Sequence, residues 1–180
     1  MKTESPPRLQ EEDYLRLEHQ LCFPLYAASR LVTRRYQPLL DPLGLTYPQY
    51  IVLLILWEDS SCSVSHIGER ALLNSNTLTP LLKRLEQLGY VRRVRSAVDE
   101  RVVEISLTDA GAALKARCAC VPERLMATVN FPPEKGVALK GLLDELIHLL
   151  ANLPDEMSVP MESQGVGRNQ RACFMKARTN

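Results

Sequence analysis

Cysteines and tyrosines are the reactive side chains that stand out in this 180-residue chain. Cys22 lies two residues before Pro24, beside an apolar stripe. A thiolate there is a nucleophile if a helix N-terminus or strong hydrogen-bond donors stabilise it; otherwise a helical Cys is a small core hydrophobe. Tyr26, Tyr36, Tyr47 and Tyr50 fall in neighbouring segments, and phenolic hydroxyls can donate to a thiolate. The same rings would serve equally as amphipathic packing with the hydroxyl in water, so spacing leaves both readings open. Cys118 and Cys120 are a weak metal signal, because no second pair follows at zinc-like spacing. Cys62 and His66 share one helical face at most, and Cys173 is expected to be an exposed thiol in a C-terminal tail. No G-x-S-x-G, phosphate loop or H-E-x-x-H occurs, and the Gly165-Val166-Gly167 run has no strand before it. The expectation is no metal, no cofactor and no enzyme.

A second kind of chemistry is carried by charge. The whole chain is nearly neutral, 22 Lys and Arg against 21 Asp and Glu, which excludes a uniformly basic coat for nucleic acid or anionic lipid. Between Asn74 and Arg101, however, six basic residues (Lys83, Arg84, Arg92, Arg93, Arg95, Arg101) face three acidic ones. Such a cluster neutralises phosphates and supplies most non-specific DNA affinity. Ser75, Asn76, Thr77 and Thr79 add short polar side chains able to meet base edges or phosphates. Arg101 suits a narrow minor groove, and Asp99, two residues away, could hold its guanidinium in a bidentate pair.

These residues need elements to hold them. Apolar positions at Leu17, Leu21, Leu25, Ala28, Val32 and Tyr36 read as one face of a helix, begun or kinked at Pro24 and ended by Pro38, Pro42 and Gly44. Tyr47 to Trp57 is apolar on all sides, and Pro48 after Thr46 favours a central helix. Val64 to Leu72, a polar turn Asn74-Ser75-Asn76, and a helix from Thr77 to Leu88 closed by Gly89 make a helix-turn-helix. Residues 90–95 and 101–107 read as a β-hairpin directly behind it, which completes a winged helix. Thr108 caps a helix running to about Val129, softened at Pro122, and a last helix spans Glu134 to Leu150. No run reaches the roughly 18 apolar residues of a membrane span, and no apolar leader precedes Tyr14. Five cysteines without framework spacing fit reduced thiols, hence a cytoplasmic protein.

The stretch from Leu17 to Leu150 resembles the MarR family of dimeric winged-helix regulators. TLTPLLKRLEQLG, DER and LTDAG carry the general pattern, while QLCF and LTYPQY resemble the branch of organic-hydroperoxide-sensing repressors. The resemblance implies a mainly α fold with a small β-hairpin wing (α+β) and an obligate homodimer built by the first, fifth and sixth helices. The expected layout is a flexible lead-in over 1–12, a winged-helix domain over 13–152 with its DNA-binding part at about 46–108, and a disordered tail over 153–180. By the same resemblance Cys22 is the peroxide-reactive cysteine, and Tyr36 and Tyr47 of the partner subunit hydrogen-bond its thiolate. Ser75 to Arg84, Pro80 included, match the major-groove helix; Arg95, Asp99 and Arg101 lie on the wing, with Arg101 in the minor groove.

Two departures are visible. Asn74-Ser75-Asn76 stands where the family usually has Asp-Ser-Gly or Asp-Ser-Ala. Met126 and Ala127 stand where two-cysteine members carry a resolving cysteine. The expected function is therefore a repressor that holds double-stranded operator DNA when reduced and releases it when an organic hydroperoxide oxidises Cys22, a small cellular thiol completing the reaction. An intersubunit disulfide through Cys118 or Cys120 is the second route. The competing readings are a regulator answering to a small aromatic acid, with Cys22 merely packed, and a thiol peroxidase, for which no motif is present.

Overall fold

A computed structural model describes residues 15–153; the lead-in over 1–12, the tail from 154 onward and Cys173 lie outside the described residues. Within them the order is α1 (Cys22–Leu40), α2 (Tyr47–Asp59), β1 (Ser61–Ser63), α3 (Val64–Ala71), α4 (Ser75–Gln87), β2 (Val91–Arg95), β3 (Val103–Leu107), α5 (Asp109–Cys118), α6 (Val121–Val129) and α7 (Pro133–Ala151). The chain divides into two units, Met1–Asn130 and Phe131–Asn180, so α7 belongs to the second. No single described helix is long and apolar enough to cross a membrane.

The first unit is organised around α2. Its apolar sequence leaves it no solvent face, and Tyr50, Val52, Leu53, Ile55 and Leu56 are buried in one cluster with residues of α3, α4, β2, β3 and α5. Its start is set locally: the Thr46 N–H donates to Gln49 Oε1 at 2.8 Å in a capping box, which explains why a glutamine is tolerated in the core. In α1, Pro24 sits in the first turn, where no intrahelical N–H is needed. The helix also runs through Pro38 to Leu40, inside the stretch closed by Pro38, Pro42 and Gly44; one lost bond near a helix end is tolerable. Gly44, at φ +69°, then reverses the chain.

Caps place the helix-turn-helix. Ser63 Oγ accepts the His66 N–H at 3.1 Å, and Asn74 Oδ1 accepts the Thr77 N–H at 2.9 Å. Because Asn74 is the cap, α4 begins at Ser75, two residues earlier than expected, and Ser75 and Asn76 occupy its first turn. The expected single helix over 109–129 is two helices: Pro122 has no N–H for the Cys118 carbonyl, and the chain breaks around Ala119 and Cys120.

The sheet has three strands in the order β1-β3-β2, both pairs antiparallel, where the sequence indicated only a hairpin. Ser61-Cys62-Ser63 has no strand pattern of its own and is a strand only through its register with β3, Cys62 facing Ile105. Cys62 and His66 therefore sit on different elements, not on one helical face; His66 Nε2 lies 3.1 Å from Asp59 Oδ2.

Gly111 locks the sheet to α5. A Cβ there would stand 2.0 Å from the Tyr90 carbonyl oxygen, which is backbone and cannot rotate away. Gly111→Ala is expected to cost about 3 kcal/mol of stability. Urea unfolding at fixed protein concentration checks this, and an unchanged midpoint would mean the Tyr90 backbone moves aside freely.

Candidate functional site

The α4 helix separates its two faces cleanly. Leu78, Leu81, Leu82 and Leu85 are buried, while Ser75, Asn76, Thr77, Pro80, Lys83 and Arg84 are exposed. Its first turn carries no acidic side chain, so the positive dipole end is open to a phosphate although Asn74 already takes the Thr77 N–H. Thr79 is half-buried and its hydroxyl donates to the Ser75 carbonyl at 2.7 Å, a bond within the helix itself.

Beside this face stands the wing. Arg95, Asp99 and Arg101 are exposed on β2 and the connecting loop. Asp99 does not pair with the Arg101 guanidinium as anticipated: its Oδ1 accepts the Arg101 backbone N–H at 2.9 Å. The reason is local, since a carboxylate reaches the amide two residues on in an Asx turn more readily than the end of a long side chain. Asp99 thus shapes the loop and leaves the guanidinium unclamped by it. Arg93, one of the six basic residues, is turned inward, 3.7 Å from Glu86, with a buried Nε that has no partner. Its charge is not offered on the outer face: Arg93 is two residues from buried Val91 and on the same side of β2.

The thiol and the tyrosines are arranged unequally. Cys22 is the first residue of α1 and exposed, its Sγ 3.8 Å from Gln20 Oε1, among exposed Leu21, Phe23 and Tyr26. Tyr36 and Tyr47 meet ring to ring at 4.6 Å, and Tyr50 stands 5.9 Å from Tyr36. Cys22 and Tyr36 share a helix, however, and fourteen residues at 1.5 Å each put their backbones about 21 Å apart. The fold of one chain therefore assembles the tyrosines and leaves the thiol away from them.

Burial holds these phenols protonated. It raises Tyr36, helped by Tyr47, and it raises Tyr47. Tyr50 is pushed up to about 12 by burial first, then by Tyr36, Cys118 and Tyr47. A phenol raised in this way stays a neutral O–H donor throughout the range in which thiols titrate. Tyr47 also lines a groove of about 470 Å³ with Arg30, Thr33, Arg34 and Leu45.

The two candidate second cysteines differ. Cys118 is 2 % exposed in the core, and burial pushes its thiol up. Cys120 is exposed at the α5–α6 break, its Sγ 3.9 Å from the Arg117 carbonyl. From the sequence Tyr50 is open as a thiolate donor or a packing ring, while Trp57 and Gly111 carry only packing and motif signals. Tyr50 and Trp57 are seven residues apart on α2, which was the only available sign that they share a side.

Comparison with known proteins agrees with this fold. The family model described as transcriptional regulator SarA/Rot matches residues 34–118. The organic hydroperoxide resistance transcriptional regulator of Bacillus subtilis (strain 168) is 48 % identical over 141 residues, 78 % of this chain and 94 % of that protein. The structure of reduced AbfR bound to DNA, a Staphylococcus epidermidis protein, is similar with a TM-score of 0.66 and 39 % identity, covering 78 % of this chain and 99 % of that one. Disulfide-formed AbfR is similar with a TM-score of 0.54 and 39 % identity, over 78 % and 97 % of the two chains.

Proposed function

Because the chain belongs to the MarR family of winged-helix regulators, close to the organic-hydroperoxide-sensing repressors, we propose that its homodimer holds double-stranded operator DNA while reduced and releases it when Cys22 is oxidised by an organic hydroperoxide. One observation carries the sensing half: Tyr36 and Tyr47 meet ring to ring, and Tyr36 stands about 21 Å along α1 from the thiol of its own chain. A second copy supplies what one copy lacks. Exposed Phe23, Tyr26, Leu31 and Val32 on α1, and Val137, Leu142, Ile147 and Leu149 on α7, offer each helix apolar surface for such a partner.

The chemistry then balances in two steps. The Cys22 thiolate attacks the terminal oxygen of the hydroperoxide, the O–O bond breaks, and the departing alkoxide takes a proton to leave as an alcohol. The sulfur, oxidised by two electrons, is a sulfenic acid. A small cellular thiol condenses with it, water leaves, and a mixed disulfide remains. The thiolate acceptor of the phenolic O–H groups is gone and bulk has been added, so the helices that meet there must move. In a dimer the two α4 helices address half-sites about 34 Å apart, and a change in their spacing releases DNA.

The formation of a disulfide in AbfR favours a second route in which a cysteine of this chain resolves the sulfenic acid. Cys120, exposed, is the better placed of the two candidates, because Cys118 would first have to leave the core.

Peptide mass mapping after an equimolar dose of organic hydroperoxide and a small thiol tests the reading. The expected product is a thiol adduct on Cys22, formed faster than with hydrogen peroxide. A Cys22–Cys120 crosslink would establish the second route, and an unmodified Cys22 would remove the sensor while leaving a winged-helix DNA binder.

A further inference from the structure

Tyr36 and Tyr47 do not end in inert core. Tyr50 lies against Tyr36, and its ring meets Trp57 edge-on at 6.2 Å, two turns further along α2. The Trp57 indole N–H donates to the Gly111 carbonyl at 2.9 Å. Lys115 Nζ, from the same helix as Gly111, donates to the Trp57 carbonyl at 3.3 Å, so α2 and α5 are tied twice at this residue.

Gly111 in turn has no free space on its Tyr90 side. Its N–H donates to Thr108 Oγ1 at 3.0 Å, the Thr108 hydroxyl donates to the Gly89 carbonyl at 2.6 Å, and the Thr108 N–H donates to the Tyr90 carbonyl at 3.1 Å. Gly89, at φ +76°, and Tyr90 form the bend between α4 and β2, that is, between the recognition helix and the wing. The Tyr90 hydroxyl reaches the Leu43 carbonyl at 3.4 Å, tying the bend back to the α1–α2 connection.

We propose that Tyr50 and Trp57 are positioning residues that relay the state of the Tyr36–Tyr47 pair to the bend between α4 and β2. The inference rests on the redox reading above and adds to it a route within one protomer. Every link is a ring contact, a hydrogen bond or a backbone contact with no slack, and a close-packed interior transmits a displacement instead of absorbing it. A two-turn aromatic ledge on a buried helix is also stiff, since α2 has neither Gly nor an internal break after Pro48. When oxidation of the partner's Cys22 displaces the tyrosines, Tyr50 and Trp57 shift with them, and the Gly111 tie carries the shift to the joint that sets recognition helix against wing.

Trp57 is the one tryptophan in the sequence, so the relay reports on itself. The experiment uses the full chain. DNA affinity is measured for reduced and peroxide-treated wild type and Trp57→Phe, with Cys22 modification followed by mass in each. Trp57→Phe keeps an aromatic ring at the position and removes the N–H donor. The expected result is wild-type affinity when reduced, wild-type modification of Cys22, and a ratio of oxidised to reduced Kd lowered about threefold or more. In the wild type, Trp57 emission is expected to shift as Cys22 is oxidised, and to stay still in Cys22→Ser.

An unchanged ratio in Trp57→Phe, or unmoved emission in an oxidised wild type that has released its DNA, would overturn the relay and leave the sensor intact. A wild type that keeps its DNA after Cys22 is modified would overturn the redox reading itself. Should Trp57→Phe fold poorly, Lys115→Met removes the other tie while keeping the indole, and is expected to lower the ratio in the same direction.

Discussion

Cys22→Ser is expected to bind operator DNA like the wild type and to keep it after an equimolar dose of organic hydroperoxide. A serine hydroxyl is not oxidised by a hydroperoxide, and it preserves the size and polarity of a residue that lies at the exposed start of α1, away from α4 and the wing. The wild type should lose affinity by a factor within the usual range of coupled sites, about 5–150-fold. In the variant the ratio of treated to untreated Kd should be about 1, because no covalent change reaches the phenols of Tyr36 and Tyr47. Gel-shift or anisotropy titration with and without peroxide measures both ratios. Release of DNA by Cys22→Ser on oxidation would place the sensor elsewhere, with exposed Cys120 the next candidate.

The second large effect concerns DNA affinity itself. Removing three exposed charges together, Lys83→Ala, Arg84→Ala and Arg101→Ala, takes six from a dimer. If each meets a phosphate or a groove edge, the slope of log K against log salt should flatten by about five, at roughly 0.9 per phosphate. Affinity near 0.1 M salt should then fall about a thousandfold. Arg93→Ala serves as the contrast. Its guanidinium faces Glu86 and is mostly buried, so its loss should leave the salt slope unchanged even if stability suffers. A flattened slope in Arg93→Ala, or an unchanged one in the triple variant, would mean that the DNA-facing surface has been assigned to the wrong side of the wing.

What could be read from the chain alone was what is decided within a few residues. Thr108 accepts a bond from the Gly111 amide three residues on, and that reach is visible as a spacing in the sequence, whereas the same bond from Thr77 to Asn74 lay in what read as a turn. The all-round apolar α2 could only be central, because no face of it suits water. The leucine period of α4 left Lys83 and Arg84 facing outward, so the winged helix and its basic side were legible together. Cys22, Tyr36 and Tyr47 were singled out as one site through the family resemblance; their spacing by itself left them open.

Tertiary structure decided whatever needed a partner distant in the chain. β1 is three residues without a pattern until β3 lies beside it. Arg93 turns toward Glu86 because α4 passes close by. Gly111 reads as an ordinary helix residue until the Tyr90 carbonyl occupies the place of its missing Cβ. Tyr36 and Tyr47, eleven positions apart on two helices, come within 4.6 Å only because the chain reverses at Gly44. That reversal turns dispersed phenols into one donor pair and leaves Cys22 at the far end of α1. Local propensity acts over about one helical turn, whereas the β1–β3, Gly111–Tyr90 and Tyr36–Tyr47 contacts join residues eleven or more positions apart and depend on how the core closes.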